Sequence, residues 1–173
     1  DMLMEKGNEG VHIITMSATP IPRSIAAVMY GENKAIYEIK SMPDGRLPVQ
    51  TAINNNQQKI FDFAEKQLKE NRQIYVVCPL VDEAEEGSSS SGMDSVQDVY
   101  ERYRLYFETI GYKTGKLFGK QDNLEKAANI KAFEENKVQI LVSTTVVEVG
   151  VNVPNASLII IHNAERFGLA TMH

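Results

Sequence analysis

Short apolar runs alternate with segments of helical periodicity along most of the chain. The runs predict strands over residues 11–16, 73–80, 113–118, 138–143 and 158–162, and the periodic segments predict helices over residues 22–30, 57–71, 96–110 and after Asp122. Two short strands are also predicted over residues 35–39 and 49–53, on either side of a Pro/Gly segment at 42–48 that resembles a linker. Strands that alternate with helices indicate an α/β fold with a parallel sheet and helices on both faces.

The periodic segments also predict which side chains face the sheet. In the helix over residues 57–71 the apolar positions are Ile60, Phe61, Phe63, Ala64 and Leu68. Asp122 and Glu125 predict a capping box for a helix whose inner stripe is Leu124, Ala127, Ile130 and Phe133. Aromatic residues recur at helical spacing at Tyr100, Tyr103, Tyr106 and Phe107; we expect a stripe facing the core, with a stacking platform for nucleobases as the alternative.

The composition is that of a folded, acidic domain. With 173 residues and 43% hydrophobic content the chain is able to bury a core, which excludes a disordered tail. A net charge of -5 argues against binding polyanions over the whole surface, so any contact with nucleic acid must be local. The single Cys78 excludes a disulfide and a cysteine zinc site, and we expect it in the core. Since no leader and no run of about 20 apolar residues is found, we expect a soluble, cytoplasmic protein without a membrane segment.

Two segments resemble parts of an ATP site in their sequence. The segment Gly111 to Leu117 has one residue too few between its glycines for a phosphate-binding loop, and its alternation favours a strand. Asp82 and Glu83 follow an apolar strand, but they lead into an acidic, Ser/Gly-rich stretch that is typical of a solvated loop. Neither segment predicts a nucleotide or metal site. For Lys113, Lys116 and Lys120, a phosphate-contacting edge and a merely solvated edge remain equally open.

Residues 140–156 carry the strongest chemical signal. The apolar residues Ile140 to Val142 suit a strand covered on both faces, and Ser143, Thr144 and Thr145 fall at its carboxyl end, where parallel sheets bind their ligands. Hydroxyl groups and amides at this place are able to hold phosphates without reading bases. An acid-and-glycine turn follows. The segment therefore predicts a phosphate-binding edge.

This segment resembles motif V of the superfamily 2 helicases, and residues 16–23, Met-Ser-Ala-Thr-Pro-Ile-Pro-Arg, resemble their motif III. The form Ala-Thr-Pro-Ile-Pro-Arg is similar to that of the RecG helicases and of the transcription-repair coupling translocases. Residues 43–49, 75–81 and 163–169 resemble the Pro-x-Gly-Arg-x-Pro-Val segment, the motif IV strand and the segment ahead of motif VI in RecG helicases. The resemblance spans nearly the whole chain, with residues 85–99 as its poorest part.

The resemblance implies a RecA-like parallel sheet of the P-loop NTPase type. Residues 1–45 would be the end of the first helicase lobe and the linker, and residues 46–173 the second lobe, truncated before motif VI. It also implies three groups of functional residues. Motif III, which couples nucleotide state to lobe movement, would be Ser17, Ala18 and Thr19; the contacts to the DNA backbone would be Gly119, Lys120, Thr144 and Thr145; the lobe interface near the nucleotide would hold Glu148, Gly150 and Asn152.

The function implied is that of an ATP-dependent DNA helicase that translocates on and remodels branched DNA, such as stalled forks and Holliday junctions, as a monomeric motor. ATP and Mg would be bound mainly by the absent first lobe, and we expect this fragment alone to be inactive and to hold no metal. Two alternatives stay open: a transcription-repair coupling DNA translocase, and a non-catalytic α/β regulatory module.

Overall fold

The computed structural model describes Tyr37, residues 48–79, 95–118, 121–144 and 153–168, and Met172. The chain divides into two compact units, and Gln50–Gly168 forms the unit that contains all the helices and strands described below. The strand predicted over residues 11–16, the helix over 22–30 and the loop after Asp82 lie outside the described residues. So does the strand predicted over residues 35–39, except for Tyr37. The predicted division into lobes at residues 45 and 46 stays a prediction.

Four parallel strands form the sheet of this unit. They are β1 (Gln73–Cys78), β2 (Thr114–Leu117), β3 (Ile140–Thr144) and β4 (Ala156–Ile161), in the order β2-β3-β1-β4. Register pairs include Cys78 with Thr144, Leu117 with Ser143, and Val77 with Ile161. The predicted parallel α/β sheet is confirmed, and the carboxyl ends of all four strands lie along one edge.

Three helices cover the sheet: α1 (Gln57–Lys69), α2 (Val96–Thr109) and α3 (Asn123–Glu134), and a short 3-10 helix follows β4 (Ala164–Arg166). Helices α1 and α2 pack on one face, where Phe61 contacts the rings of Tyr103 and Phe107 with centroids 4.9 and 5.2 Å apart. These rings join the inward residues of β1 and β3 in the larger core cluster, which includes Cys78. Tyr103 and Phe107 are fully buried, so the aromatic stripe of α2 faces the core, as expected, and is no stacking platform.

The opposite face carries a smaller core beneath α3. Phe133 packs on Tyr75 with ring centroids 4.8 Å apart, and Leu117 and Leu141 complete the buried cluster. The predicted stripe of α3 is only partly right: Phe133 is buried, but Leu124 is 79% exposed. Phe63 of α1 is likewise 53% exposed, because Phe61, Ala64 and Leu68 alone form the buried side of that helix.

Two local predictions are wrong. Residues 49–53 form no strand, and Ile53 is 96% exposed, so this segment has neither a ladder partner nor a core contact among the described residues. Asp122 is the N-cap of α3 but its side chain makes no capping hydrogen bond. The carboxylate of Glu125 instead accepts a hydrogen bond from Gln121 Nε2 at 2.7 Å. A capping box does occur at α2, where Ser95 and Asp98 bond to each other's backbone.

Amide side chains close the amino edge of the sheet. Gln73, 1% exposed, donates from Nε2 to the carbonyl oxygens of Phe133 and Val138. Asn155 donates from Nδ2 to the carbonyl oxygen of Asn71 at 2.8 Å and to Oε1 of Gln73 at 3.3 Å. These bonds tie the start of β1 to the end of α3 and to the loop before β4. One side chain at the start of the first strand thus donates both to a carbonyl in the last turn of a helix and to a carbonyl in the loop after it.

Candidate nucleic-acid interface at the carboxyl edge

Thr144 is the one predicted site residue that falls within the described part of the chain. Ser17, Ala18, Thr19, Gly119, Lys120, Thr145, Glu148, Gly150 and Asn152 lie outside it. Their predicted roles are therefore neither supported nor contradicted by the geometry. What the structure does describe is the edge on which several of them were expected: the ends of the four strands and the residues that follow.

Thr144 is the last residue of β3 and stands at the carboxyl edge, as the sequence predicts. Its side chain is nevertheless only 3% exposed. Since alternate residues of a strand face the same side, Thr144 shares the side of Ile140 and Val142, which is the face covered by α1 and α2. Its Oγ1 is buried and has no hydrogen-bond partner among the described residues. A buried donor without a partner is costly, so this hydroxyl is an exception that calls for a functional or structural reason.

Ser143, the preceding residue, faces the other side of the sheet. Its Oγ is also buried and makes no hydrogen bond within the described ranges. Two consecutive hydroxyls at the end of one strand are thus left without partners, one on each face. Two neighbouring buried hydroxyls without hydrogen bonds are unusual, because most buried polar side chains in folded proteins are hydrogen bonded.

Hydrogen bonds between Phe118 and Gln121 flank the predicted backbone-binding positions 119 and 120. The amide of Phe118 donates to Oε1 of Gln121 at 2.6 Å, and the amide of Gln121 donates to the carbonyl of Phe118 at 3.2 Å. Two hydrogen bonds therefore join the residues on either side of positions 119 and 120, in the connection from β2 to α3. It begins at the same edge of the sheet as Thr144, since Leu117 pairs with Ser143.

Lys116 lies next to this connection on β2, which is an edge strand of the described sheet. Its Nζ is 3.9 Å from Oε1 of Glu125 and 5.9 Å from the ring centroid of Tyr100. The side chain is 36% exposed. A partly exposed ion pair of this length is weak, so the ammonium group remains available to a stronger anion such as a phosphate. The position of Lys116 is compatible with an edge that contacts phosphate and with an edge that is only solvated.

Sequence reasoning missed a partly buried polar pair at the carboxyl edge. The hydroxyl of Tyr103 and Nε2 of His162, the residue after β4, are 3.0 Å apart, and the two rings meet edge to face with centroids 5.7 Å apart. Burial raises the pKa of Tyr103, so its hydroxyl stays protonated and is able to donate. The spacing of Tyr103 showed that it faces the core, but no local signal reports a partner 59 residues away.

The described residues do not form a nucleotide-phosphate loop. Residues 114–117 of the glycine-containing segment are strand β2, as predicted. A side chain at Gly115 would meet Val138 Cγ1 at 3.1 Å and Leu141 Cδ1 at 3.3 Å, so this glycine is needed for packing under α3 and not for approach to a phosphate. No described residues form a group of three or more His, Cys, Asp or Glu suited to a metal, and none of the described helices is long and apolar enough to cross a membrane.

Comparisons with known proteins give the family of the chain. Residues 55–173 match the family described as the helicase conserved C-terminal domain. The ATP-dependent DNA helicase RecG of Staphylococcus epidermidis is 41% identical over 99% of this chain and 24% of its own length. That of Synechocystis is 35% identical over 99% of this chain and 20% of its own length. The Pyrococcus furiosus Hef helicase domain aligns over 60% of this chain and 19% of its own, with 19% identity and a TM-score of 0.44. The chain spans about a quarter of the length of the first of these relatives.

Proposed function

Because the chain belongs to the helicase conserved C-terminal domain family, we propose that it is the second motor lobe of an ATP-dependent DNA helicase that remodels branched DNA. The four-stranded parallel sheet with helices on both faces is that of a RecA-like helicase lobe. The observation that carries the proposal is the similarity of 99% of this chain to RecG helicases at 35–41% identity. The intact protein would act on forks and Holliday junctions as a cytoplasmic, monomeric motor.

In this proposal the carboxyl edge binds the DNA backbone. Thr144 and Thr145 at the end of β3, and Gly119 and Lys120 after β2, belong to connections that begin at neighbouring strand ends. Phosphate contacts of this kind hold a strand in place without reading its sequence. Since Thr144 is buried, its hydroxyl reaches a phosphate only after the edge opens, and the proposal therefore requires that exposure of this side chain increase when DNA binds.

The remaining assignments are proposals from the same kinship. Ser17, Ala18 and Thr19 couple the nucleotide state to lobe movement, and Glu148, Gly150 and Asn152 lie near the lobe interface. ATP hydrolysis supplies the free energy of translocation. By the same kinship, ATP and Mg would be bound mainly outside this lobe, and we propose that the chain by itself hydrolyses no ATP.

The test uses the full-length protein and a double variant, Thr144→Ala with Thr145→Ala. Loss of two hydrogen bonds of about 1 kcal/mol each predicts roughly a tenfold or larger loss of coupling between ATP turnover and fork unwinding. DNA-stimulated ATP turnover and unwinding of a forked duplex are measured together. Thr51→Ala, at an exposed position outside the sheet, is the matched control and should behave as wild type.

Unchanged unwinding and unchanged DNA-stimulated turnover in the double variant would count against the assigned contact. Absence of any DNA-dependent ATP turnover in the wild-type full-length protein would overturn the proposed activity itself. The isolated chain supplies a further check. ATP turnover that scales with the concentration of this chain and persists through repurification would contradict the proposal that the chain by itself hydrolyses no ATP.

A further inference from the structure

The hydrogen bond between Tyr103 and His162 joins the middle of α2 to the residue that follows β4. Tyr103 is 1% exposed, and its hydroxyl lies 3.0 Å from Nε2 of His162. The backbone amide of His162 also donates to the carbonyl of Val77 at 2.9 Å. His162 is therefore held from two directions, by the sheet through its backbone and by a helix through its side chain.

The chain changes direction immediately after this anchor. Asn163 adopts a left-handed conformation with φ 49°, and residues 164–166 form the 3-10 helix. The amides of Arg166 and Phe167 donate to the carbonyls of Asn163 and Ala164 at 3.0 and 3.1 Å. Residues 163–166 are here named the charged turn, because they include Glu165 and Arg166, both exposed. Its position at the carboxyl edge depends on where His162 is held.

We propose that Tyr103 is a positioning residue that acts through His162 to place the charged turn against a phosphate-bearing ligand at the carboxyl edge. The inference rests on the proposed function for the identity of that ligand, which is either the DNA backbone or the bound nucleotide. Parallel sheets bind ligands at this edge, and an exposed arginine side chain is suited to phosphate. A helix that packs on one face of the sheet thus controls a turn beside the ligand.

The hydroxyl of Tyr103, and not its ring alone, carries this role. A second buried tyrosine, Tyr75, lies on the opposite face, and its hydroxyl finds no hydrogen-bond partner within the described residues. Burial raises the pKa of both phenols, so both stay neutral at physiological pH. Tyr75→Phe therefore removes a hydroxyl that bonds nothing described, whereas Tyr103→Phe removes one that holds His162. The two substitutions are chemically identical and form a matched pair.

The experiment compares Tyr103→Phe and Tyr75→Phe in the full-length protein. Hydrogen exchange of residues 162–168 reports the position of the charged turn, binding of forked DNA without nucleotide gives a Kd, and steady-state turnover gives KM for ATP and kcat. Loss of one buried hydrogen bond predicts that Tyr103→Phe speeds exchange in this segment and changes at least one ligand constant by roughly three- to tenfold. Tyr75→Phe should leave all of them within about twofold of wild type. A change in the DNA Kd alone identifies the DNA backbone as ligand, and a change in KM or kcat alone identifies the nucleotide.

Three outcomes would overturn the proposal. In the first, exchange is unaffected by Tyr103→Phe. In the second, exchange rises at the turn while every ligand constant stays within about twofold of wild type. In the third, exchange rises evenly through α2 and β4, and activity falls only in proportion to folded protein. The double variant Tyr103→Phe with His162→Phe provides an internal check, since two residues that act through one bond give non-additive effects. Additive effects contradict the link.

Failure of the proposed function is distinguishable from failure of this inference. If the wild-type protein shows no DNA-stimulated ATP turnover, the proposed function fails, but the exchange and DNA-affinity measurements still decide whether Tyr103 positions the turn. If turnover is normal and these measurements do not respond to Tyr103→Phe, the positioning role fails and the proposed function stands.

Discussion

The polar side chains at the amino edge and at the carboxyl edge of the same sheet differ in their hydrogen bonding. At the amino edge Gln73 and Asn155 make four hydrogen bonds that tie β1 to the segments beside it. At the carboxyl edge Ser143 and Thr144 end β3 with hydroxyls that bond nothing in the described part of the chain. The amino edge has exceptions too, since Thr114 Oγ1 and Asn136 Oδ1 also lack partners there.

We interpret the difference as one between side chains that hold the fold and side chains available for function. An unpaired buried hydroxyl costs free energy, and Thr144 and Thr114 each carry one, at opposite edges of the sheet. We propose that Thr144 keeps its hydroxyl for contact with a ligand and that Thr114 has no such role. The two threonines therefore provide a direct way to compare the edges.

The largest effect is expected at Gln73. Gln73→Leu keeps the side chain near its original volume but removes the donor to the carbonyl of Val138 and leaves the carbonyl of Phe133 with the backbone amide of Asn136. An unsatisfied buried carbonyl costs about 1–3 kcal/mol, so we expect a loss of about 2 kcal/mol in the free energy of unfolding. Urea unfolding followed by circular dichroism measures it. Gln97→Leu, which alters an exposed bond to Glu101, is the control and should change stability by less than about 0.5 kcal/mol. Equal effects of the two substitutions would refute the special role of the amino edge.

A smaller effect is expected at Asn155. Asn155→Ala removes the donor to Asn71 and Gln73, and partial exposure lets water replace one of these bonds. We therefore expect a loss of about 1 kcal/mol, measured by the same unfolding experiment. In the double variant with Gln73→Leu the two losses should not add, because both residues belong to one network. Full additivity would mean that the two amides act independently.

The smallest effect on stability is expected at the orphaned hydroxyls. Thr144→Val and Thr114→Val each replace a buried hydroxyl that has no described partner by a methyl group of similar size. Both should leave the free energy of unfolding unchanged or raise it by up to about 1 kcal/mol. A loss of more than about 1 kcal/mol in Thr144→Val would show that its hydroxyl has a structural partner after all.

The parallel sheet was predictable because its signals are local and repeated. The apolar run Ile140 to Val142 lies in a strand, and Phe61, Ala64 and Leu68, at helical spacing, are the buried residues of a helix. The predicted ends of these elements differ from the observed ends by only a few residues. The exposed Phe63 and Leu124 were assigned to the core because periodicity gives the spacing of a face but does not say how far the sheet extends beneath it. Residues 49–53 have strand composition, yet composition does not supply a neighbouring strand.

The polar details depended on contacts between distant residues, which no local pattern reports. The carboxylate of Glu125 bonds to Gln121 and approaches Lys116, so the expected capping box does not form. The Ser95–Asp98 box was detectable, since Ser followed three residues later by an acid ahead of an apolar run is its signature. The bonds of Gln73 and the pair Tyr103–His162 join residues about 60 positions apart and become visible only once the fold is known.

The most direct test of the central claim is the coupling ratio, ATP hydrolysed per base pair separated, of Thr144→Val and Thr114→Val in the full-length protein on a forked DNA substrate. We predict that both variants remain folded and that only Thr144→Val hydrolyses more ATP per base pair separated, with a coupling ratio several-fold above wild type, roughly as expected for one lost hydrogen bond. Equal ratios in wild type and both variants would contradict the claim that the carboxyl edge keeps its unpaired hydroxyl for function.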